Sequence, residues 1–174
     1  MSDWPASLVV PACVSSFSRE GVSGVNLAFA SIVWTTANKA IYIPLRLSKP
    51  YPVRLLWWAN GATISGNVDL GVFASDASTK ILSTGAVAQA GASVVQSVVP
   101  SPNPFWLPPG QYYLGLSSSS ATATFQIATT TLAQQIQFGM AEQLTAHPLP
   151  ATATFVRPTS QKLPLVGLAS VSTI

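Results

Sequence analysis

The sequence predicts an all-β fold: a single antiparallel β-sandwich, jelly-roll-like, with extended N- and C-terminal arms. Three observations carry that expectation. From Val53 to Leu116, short apolar runs alternate with clusters of Gly, Pro, Asn, Asp and Ser, the punctuation of strands and tight turns. The turn signals recur roughly every 8–12 residues, the spacing of a sandwich or jelly roll. Helical periodicity is nearly absent: only Leu132–Leu144 could hold a helical turn, and Gly139 weakens it. The divisions that follow are an N-terminal arm over 1–36, a sandwich core over 37–130, and final strands with a C-terminal arm over 131–174.

Taken in order, residues 1–36 have neither a helical period nor clean alternation. Trp4, Phe17, Phe29 and Trp34 punctuate a background of Ser, Gly, Val and Ala. That reads as an arm or irregular edge strands, with aromatics that pack on the domain or on a neighbour. Lys39–Leu47 (KAIYIPLRL) is the first clear strand. Ile41, Ile43, Leu45 and Leu47 form its inward face and Ala40, Tyr42 and Pro44 the other. Pro44 argues for an edge or bulged strand.

Val53–Ala59 is the next strand, and Asn60-Gly61 gives a hairpin-type turn signal. Asn67–Ala74 alternates cleanly, with Val68, Leu70, Val72 and Ala74 inward and Asn67, Asp69, Gly71 and Phe73 outward. Short strands are expected over Lys80–Val87 and Ser93–Val99. Prolines at 100, 102 and 104 then exclude helix and central strand. Gln111–Leu116 closes the core with Tyr112, Leu114 and Leu116 on one side, and Thr122–Ala128 adds a further strand. Beyond His147, prolines at 148, 150, 158 and 164 break the chain into extended pieces. The apolar ending QKLPLVGLASVSTI reads as an arm, with Leu163, Leu165 and Leu168 packing on a partner or along the sandwich. Deleting the chain from Leu163 is expected to leave the sandwich folded.

A chain of 174 residues suits one domain, which at this size buries roughly 70% of its unfolded surface and needs no bridges or metal for a core. Only 7% of residues are charged and 48% are hydrophobic, against about 25% charged in an ordinary soluble domain. A free monomer so poor in charge is weakly protected against self-association, so much of the surface is expected to be covered by other subunits. The formal charge of +3 comes from basic residues scattered along the chain. They form no phosphate-tracking stripe, which argues against nucleic acid as a ligand. The N-terminus lacks a signal-peptide pattern, and no run approaches the roughly 20 apolar residues of a membrane helix. A single cysteine, Cys13, excludes an intrachain disulfide and reads as a packed thiol.

Catalytic chemistry finds little to work with. His147 is the sole histidine and lies in a proline-rich stretch; there is no G-x-S-x-G elbow to pair with it. One histidine and one cysteine make no metal site. The acids are Asp3, Glu20, Asp69, Asp76 and Glu142. Asp69 and Asp76 read as solvated surface acids, Asp76 as a turn residue with a calcium site as its alternative. No glycine pattern cradles phosphate. The expectation is a non-enzymatic protein without cofactor.

The aromatics remain. Trp57 and Trp58 are adjacent in a strand and point to opposite faces, so at least one is expected to leave the core, and Tyr112 and Tyr113 behave alike. Trp58, Phe73 and Tyr113, with Trp106 beyond them, form a candidate outward patch. It would serve either a subunit contact or the stacking of a sugar ring, and the charge deficit favours the contact.

GNVDLGVFASDASTKILSTGAVAQAG (66–91) followed by PPGQYYLGLSSSS (108–120) resembles a recurrent module of tailed-bacteriophage virion proteins. There a G-N-x-D-x-G-[IV]-[YF] strand precedes an S-T-G strand and a PG-x-YYLAL strand. PLPATATF (148–155) and LPLVGL (163–168) resemble the tails that follow it. The likeness spans Ala40–Ala128 well and the C-terminal part loosely. Gly115 stands where the pattern has Ala, a departure expected to be harmless. The resemblance implies a structural protein of the virion, either capsid decoration (a cement) or a tail, baseplate or fibre component. Decoration is preferred, because a short chain with arms and no repetitive shaft suits it. A homo-oligomer, expected as a trimer, would contact other virion proteins such as the major capsid protein. A glycan receptor is the partner under the second reading.

Overall fold

A computed structural model describes residues 8–9, 29–34 and 36–171. In chain order its strands are β1 (Leu8–Val9), β2 (Phe29–Val33), β3 (Lys39–Leu47), β4 (Tyr51–Val53), β5 (Leu55–Ala59), β6 (Asn67–Ala74), β7 (Lys80–Ser83), β8 (Val87–Ala88), β9 (Val95–Val98), β10 (Phe105–Leu107), β11 (Gly110–Ser118) and β12 (Thr124–Thr129). A helix, α1 (Leu132–Gln137), precedes β13 (Ala141–Gln143), β14 (Lys162–Pro164) and β15 (Val166–Ala169). Every pairing between them is antiparallel.

The strands form an all-β sandwich. One layer is a six-stranded sheet in the order β13-β3-β11-β6-β7, with β8 also on β6. The other contains β1-β15-β5-β9, the pair β10-β4, and β14-β12-β2. Its parts are joined where Asn60 bridges Phe125 and where Leu165 N–H donates to Gln126 O while Leu165 O accepts from Ala59 N–H.

Alternation explains the layering. Ile41, Ile43 and Leu45 of β3, Val68, Leu70 and Val72 of β6, and Leu114 and Leu116 of β11 all enter one buried cluster. Leu56, Trp58, Phe125, Ile127, Val166 and Leu168 meet them from the opposite layer. Each such side chain contributes about 1.5–3 kcal/mol when fully buried. The inward faces expected for β3, β6 and β11 are the observed ones.

The second face of the six-stranded sheet is also covered. A strap of chain, residues 144–156, crosses it. The strap is tied by Ala146 N–H to Asn38 O (2.6 Å), Lys80 N–H to Ala151 O (2.7 Å) and Ala153 N–H to Ala77 O (3.1 Å). Between strap and sheet, Leu149 and Ala153 of the strap meet Ala40, Tyr42, Phe73 and Ala141 in a second core. In the middle of this sheet the outward-parity residues Tyr42, Asp69 and Phe73 are therefore not solvent-facing.

Four local expectations change. Asn60-Gly61 is not a hairpin tip. Asn60 is fully buried, and Gly61 N–H bonds Thr124 O. Glycine is required there by close approach, since a Cβ would lie 2.4 Å from both Ser31 Oγ and Thr124 Oγ1. Pro44 does not make β3 an edge strand, because β3 lies between β11 and β13; β13 covers only Ala40–Tyr42, so Pro44 falls past its end. Lys80–Val87 is two strands, divided at Gly85, whose φ is +67°. The C-terminal segment is structural: β14 pairs β12, and β15 lies between β1 and β5.

The helix forms because Thr131 caps it in a capping box with Gln134: Gln134 N–H donates to Thr131 Oγ1 (3.1 Å) and Thr131 N–H to Gln134 Oε1 (2.8 Å). It ends within six residues, just before Gly139 at φ +73°.

Candidate functional site

The aromatic patch expected on the surface is dispersed. Trp57 and Trp58 do point to opposite faces, and both are buried. Trp58 lies in the sandwich core, where its indole N–H donates to Asn60 Oδ1 (2.9 Å). Phe73 is buried beneath the strap, edge-on to Tyr42 with ring centroids 5.3 Å apart. Tyr113 is half-buried, packed on Phe155 of the strap at 4.5 Å. Alternation located these faces correctly. It could not show that a segment more than thirty residues downstream returns to cover one of them. Of the four patch residues only Trp106 is exposed, at 61%.

The arm residues divide similarly. Trp4 and Phe17 lie outside the described residues. Trp34 is a core residue, with its ring 5.0 Å from Phe125 and its indole N–H on Lys39 O. Leu163 and Leu168 are buried in the sandwich and Leu165 packs against it. Trp34, Leu163 and Leu168 are not free for a neighbour, because they already fill the core of this chain, and Leu165 is half-buried against it.

Three polar clusters were not legible in the sequence. The first surrounds Asn60. Its Oδ1 accepts from Trp58 Nε1 and from Gln89 Nε2 (3.1 Å), and its Nδ2 reaches Ala90 O (2.6 Å), Gly91 O (3.0 Å) and Gln96 Oε1 (3.1 Å). A buried amide is tolerated there because its polar atoms are satisfied.

The second is an ion pair. Lys39 Nζ lies 2.6 Å from Glu142 Oε2, and both side chains are almost wholly buried. Glu142 also accepts from Thr159 N–H (3.0 Å), Thr159 Oγ1 (2.9 Å), Ser160 N–H (3.0 Å) and Ser160 Oγ. Burial pushes its pKa up, but the bonds from Lys39, Ser160 and Thr159 together hold it below the ordinary carboxylate range. The carboxylate thus fastens the 159–160 loop to β13.

The third joins Asp69, Ser117 and His147. Asp69 is fully buried, which corrects its reading as a solvated surface acid. Its Oδ1 accepts from Ser83 Oγ (3.0 Å) and Thr84 Oγ1 (3.3 Å), and its Oδ2 from Leu149 N–H (2.9 Å). Ser117, opposite Asp69 in the ladder, places Oγ 3.0 Å from His147 Nδ1. Burial lowers the His147 pKa, outweighing the opposing pull of the Asp69 charge and the Ser117 contact. The residue types of a hydrolytic triad meet here, yet the carboxylate is committed to the strap's backbone and neighbouring hydroxyls, and Ser117 is fully buried. What the group does is fix the strap at 147–149 to the sheet.

Asp76 is exposed, as expected. Its Oδ1 accepts from Ser78 N–H (2.9 Å), an Asx turn that also lowers its pKa. Among the described residues no group of three or more His, Cys, Asp or Glu is arranged to hold a metal ion, and no helix is long and apolar enough to cross a membrane.

Two surface features are left. A groove of about 240 Å³ is lined by Pro44, Leu45, Arg46, Ser75, Gln111, Tyr112 and Tyr113. Along the other layer, Val94, Val95, Val99 and Trp106 are 47–61% exposed, a run of apolar side chains on and beside the edge strands β9 and β10. No protein-family model matches the chain, and no curated protein matches it.

Proposed function

We propose that this protein is a non-enzymatic structural component of a bacteriophage virion, and within that class a capsid decoration or cement protein. The observation that carries the reading is the exterior. Val95, Val99, Trp106, Leu144 and Val156 are each at least 47% exposed on a chain with 7% charged residues. Exposed apolar side chains with so little charge between them suit a surface that neighbours cover. The sandwich itself is a rigid, two-sided core, and the motif resemblance over Ala40–Ala128 supplies the virion context. The contact surface is drawn from Trp106 and the β9 valines, in place of Trp58, Phe73 and the C-terminal leucines.

A tail or fibre component that binds a glycan is the second reading. It draws on the groove beside Tyr113, where Arg46 and Gln111 offer hydrogen-bond donors next to an aromatic ring.

Copy counting by quantitative mass spectrometry of purified particles tests the proposal. Decoration requires on the order of hundreds of copies per particle, because a closed shell repeats its contacts many times. A count of tens or fewer points to the tail, and absence from particles overturns both readings.

A further inference from the structure

We propose that β9 is a self-pairing edge: it extends its sheet by binding β9 of a second copy of this chain, antiparallel, about a two-fold axis at Ser97. The contact does not depend on a virion role.

The argument starts with the ladder. β9 pairs β5 in the register Leu56–Val98, Trp57–Ser97, Trp58–Gln96 and Ala59–Val95, and among the described strands nothing lies beyond it. In an antiparallel ladder the N–H and C=O of one residue point to the same side, and the side alternates along the strand. Asn60 N–H donates to Val94 O at 2.9 Å, so Val94, Gln96 and Val98 turn their backbone groups toward β5. Val95, Ser97 and, by the same alternation, Val99 turn theirs to the open edge. Their side chains share the outer face of the sheet, with Val95 47% and Val99 56% exposed.

An open edge is a template for another strand, and proteins ordinarily blunt it with charge, especially lysine. Here no charged residue occurs anywhere between Lys80 and Glu142. The prolines that interrupt the edge begin only at Pro100.

The occupant is a second copy because the strand is symmetric about Ser97. A two-fold contact sets each residue against its mirror position. With Ser97 on the axis, Val95 faces Val99 of the second copy and Val99 faces its Val95. All of these residues have outward-turned backbone groups, so the ladder forms with both sheets' outer faces continuous, and this register is the one that sets valine against valine twice. A small neutral side chain sits on the axis, where a charge would meet its own copy. Shifting the axis to Gln96 or Val98 would still pair outward-turned groups, but it would set Val95 or Val99 against Ser97 and lose the two valine–valine pairs. The contact is two-fold, which differs from the trimer expected from the sequence.

The register makes the test specific. Val95→Lys and Val99→Glu are measured separately and together in the full chain by sedimentation equilibrium, with circular dichroism to confirm folding. Both positions are solvent-exposed in the single chain, so the charges are compatible with the fold. The wild-type chain should dimerise. Each single variant should raise the dissociation constant roughly tenfold or more, because a charge then faces valine across the ladder and the apolar pairs are lost. The double variant should recover association, because Lys at 95 then faces Glu at 99 of the second copy across the axis, whereas within one strand the two lie too far apart to pair. A monomeric wild-type chain at high concentration overturns the proposal. So does single-variant association equal to wild type, or a double variant no better than the singles.

Discussion

A methyl group at position 115 would lie 2.8 Å from Tyr42 Cε1 and 3.1 Å from Phe73 Cε2. Both rings are fully buried beneath the strap, so neither yields without moving the layer above it. The departure from the alanine of the resembling pattern is therefore not harmless. Gly115→Ala should destabilise the fold by about 1–3 kcal/mol, the usual cost of overpacking, measured as a lowered urea midpoint. The motif showed a strand at this place; the reason for its glycine lay in what crosses over it.

Charge at the residue scale sets the response to acid. Glu142 has a folded pKa below its ordinary value, so its contribution is present above the carboxylate range and lost as pH falls through the folded pKa. His147 also has a lowered folded pKa. The unfolded chain takes up that proton first, near pH 6.5, and the folded chain loses stability from there down to the folded value. Stability measured against pH should fall in two stages, one below about 6.5 and a second below about 4.3. Glu142→Gln should abolish most of the second stage and lower stability at neutral pH by about 3–5 kcal/mol, because Lys39 is left buried without its counter-ion. A neutral-pH stability equal to wild type would remove Glu142 from this role. Nothing in the spacing of two residues 103 positions apart could have paired them; burial and the 2.6 Å contact did.

At the scale of elements, alternation was a good guide to direction and a poor one to cover. The inward faces of β3, β6 and β11 follow directly from period two. Solvent exposure of the opposite faces does not, because it depends on where the strap goes, and short proline-broken segments carry no period that points to a destination. The same reasoning applies to the C-terminus. Leu163 and Leu168 looked like arm residues because their runs are short and split by Pro164, yet they fill the sandwich core. Truncation before Leu163 removes β14 and β15, the latter an internal strand between β1 and β5. The truncated chain should fail to fold cooperatively, seen as loss of a sigmoidal thermal transition. A well-folded truncation would show that β5 tolerates an open edge.

For the whole molecule, the charge deficit was legible at once and its location was not. The composition implied covered surface; in the fold Val94, Val95, Val99 and Trp106 are exposed on and beside β9 and β10, and Leu144 and Val156 at the two ends of the strap, while three of the four aromatics expected outside are not exposed. Contacts built from neutral strands are not screened by ions. Association of the wild-type chain should thus be as strong at about 1 M salt as at about 0.1 M, read by sedimentation at both. Strong weakening by salt would instead place the contact on the scattered lysines and arginines.

The strap has one more consequence. By lying across the six-stranded sheet it gives this molecule its own ceiling, so a neighbour on that side would meet the strap and not the strands beneath it. Growth by strand pairing is left to the margins. Copies joined along their rims would lie side by side, like planks in a floor, and the resulting coat would be one subunit deep.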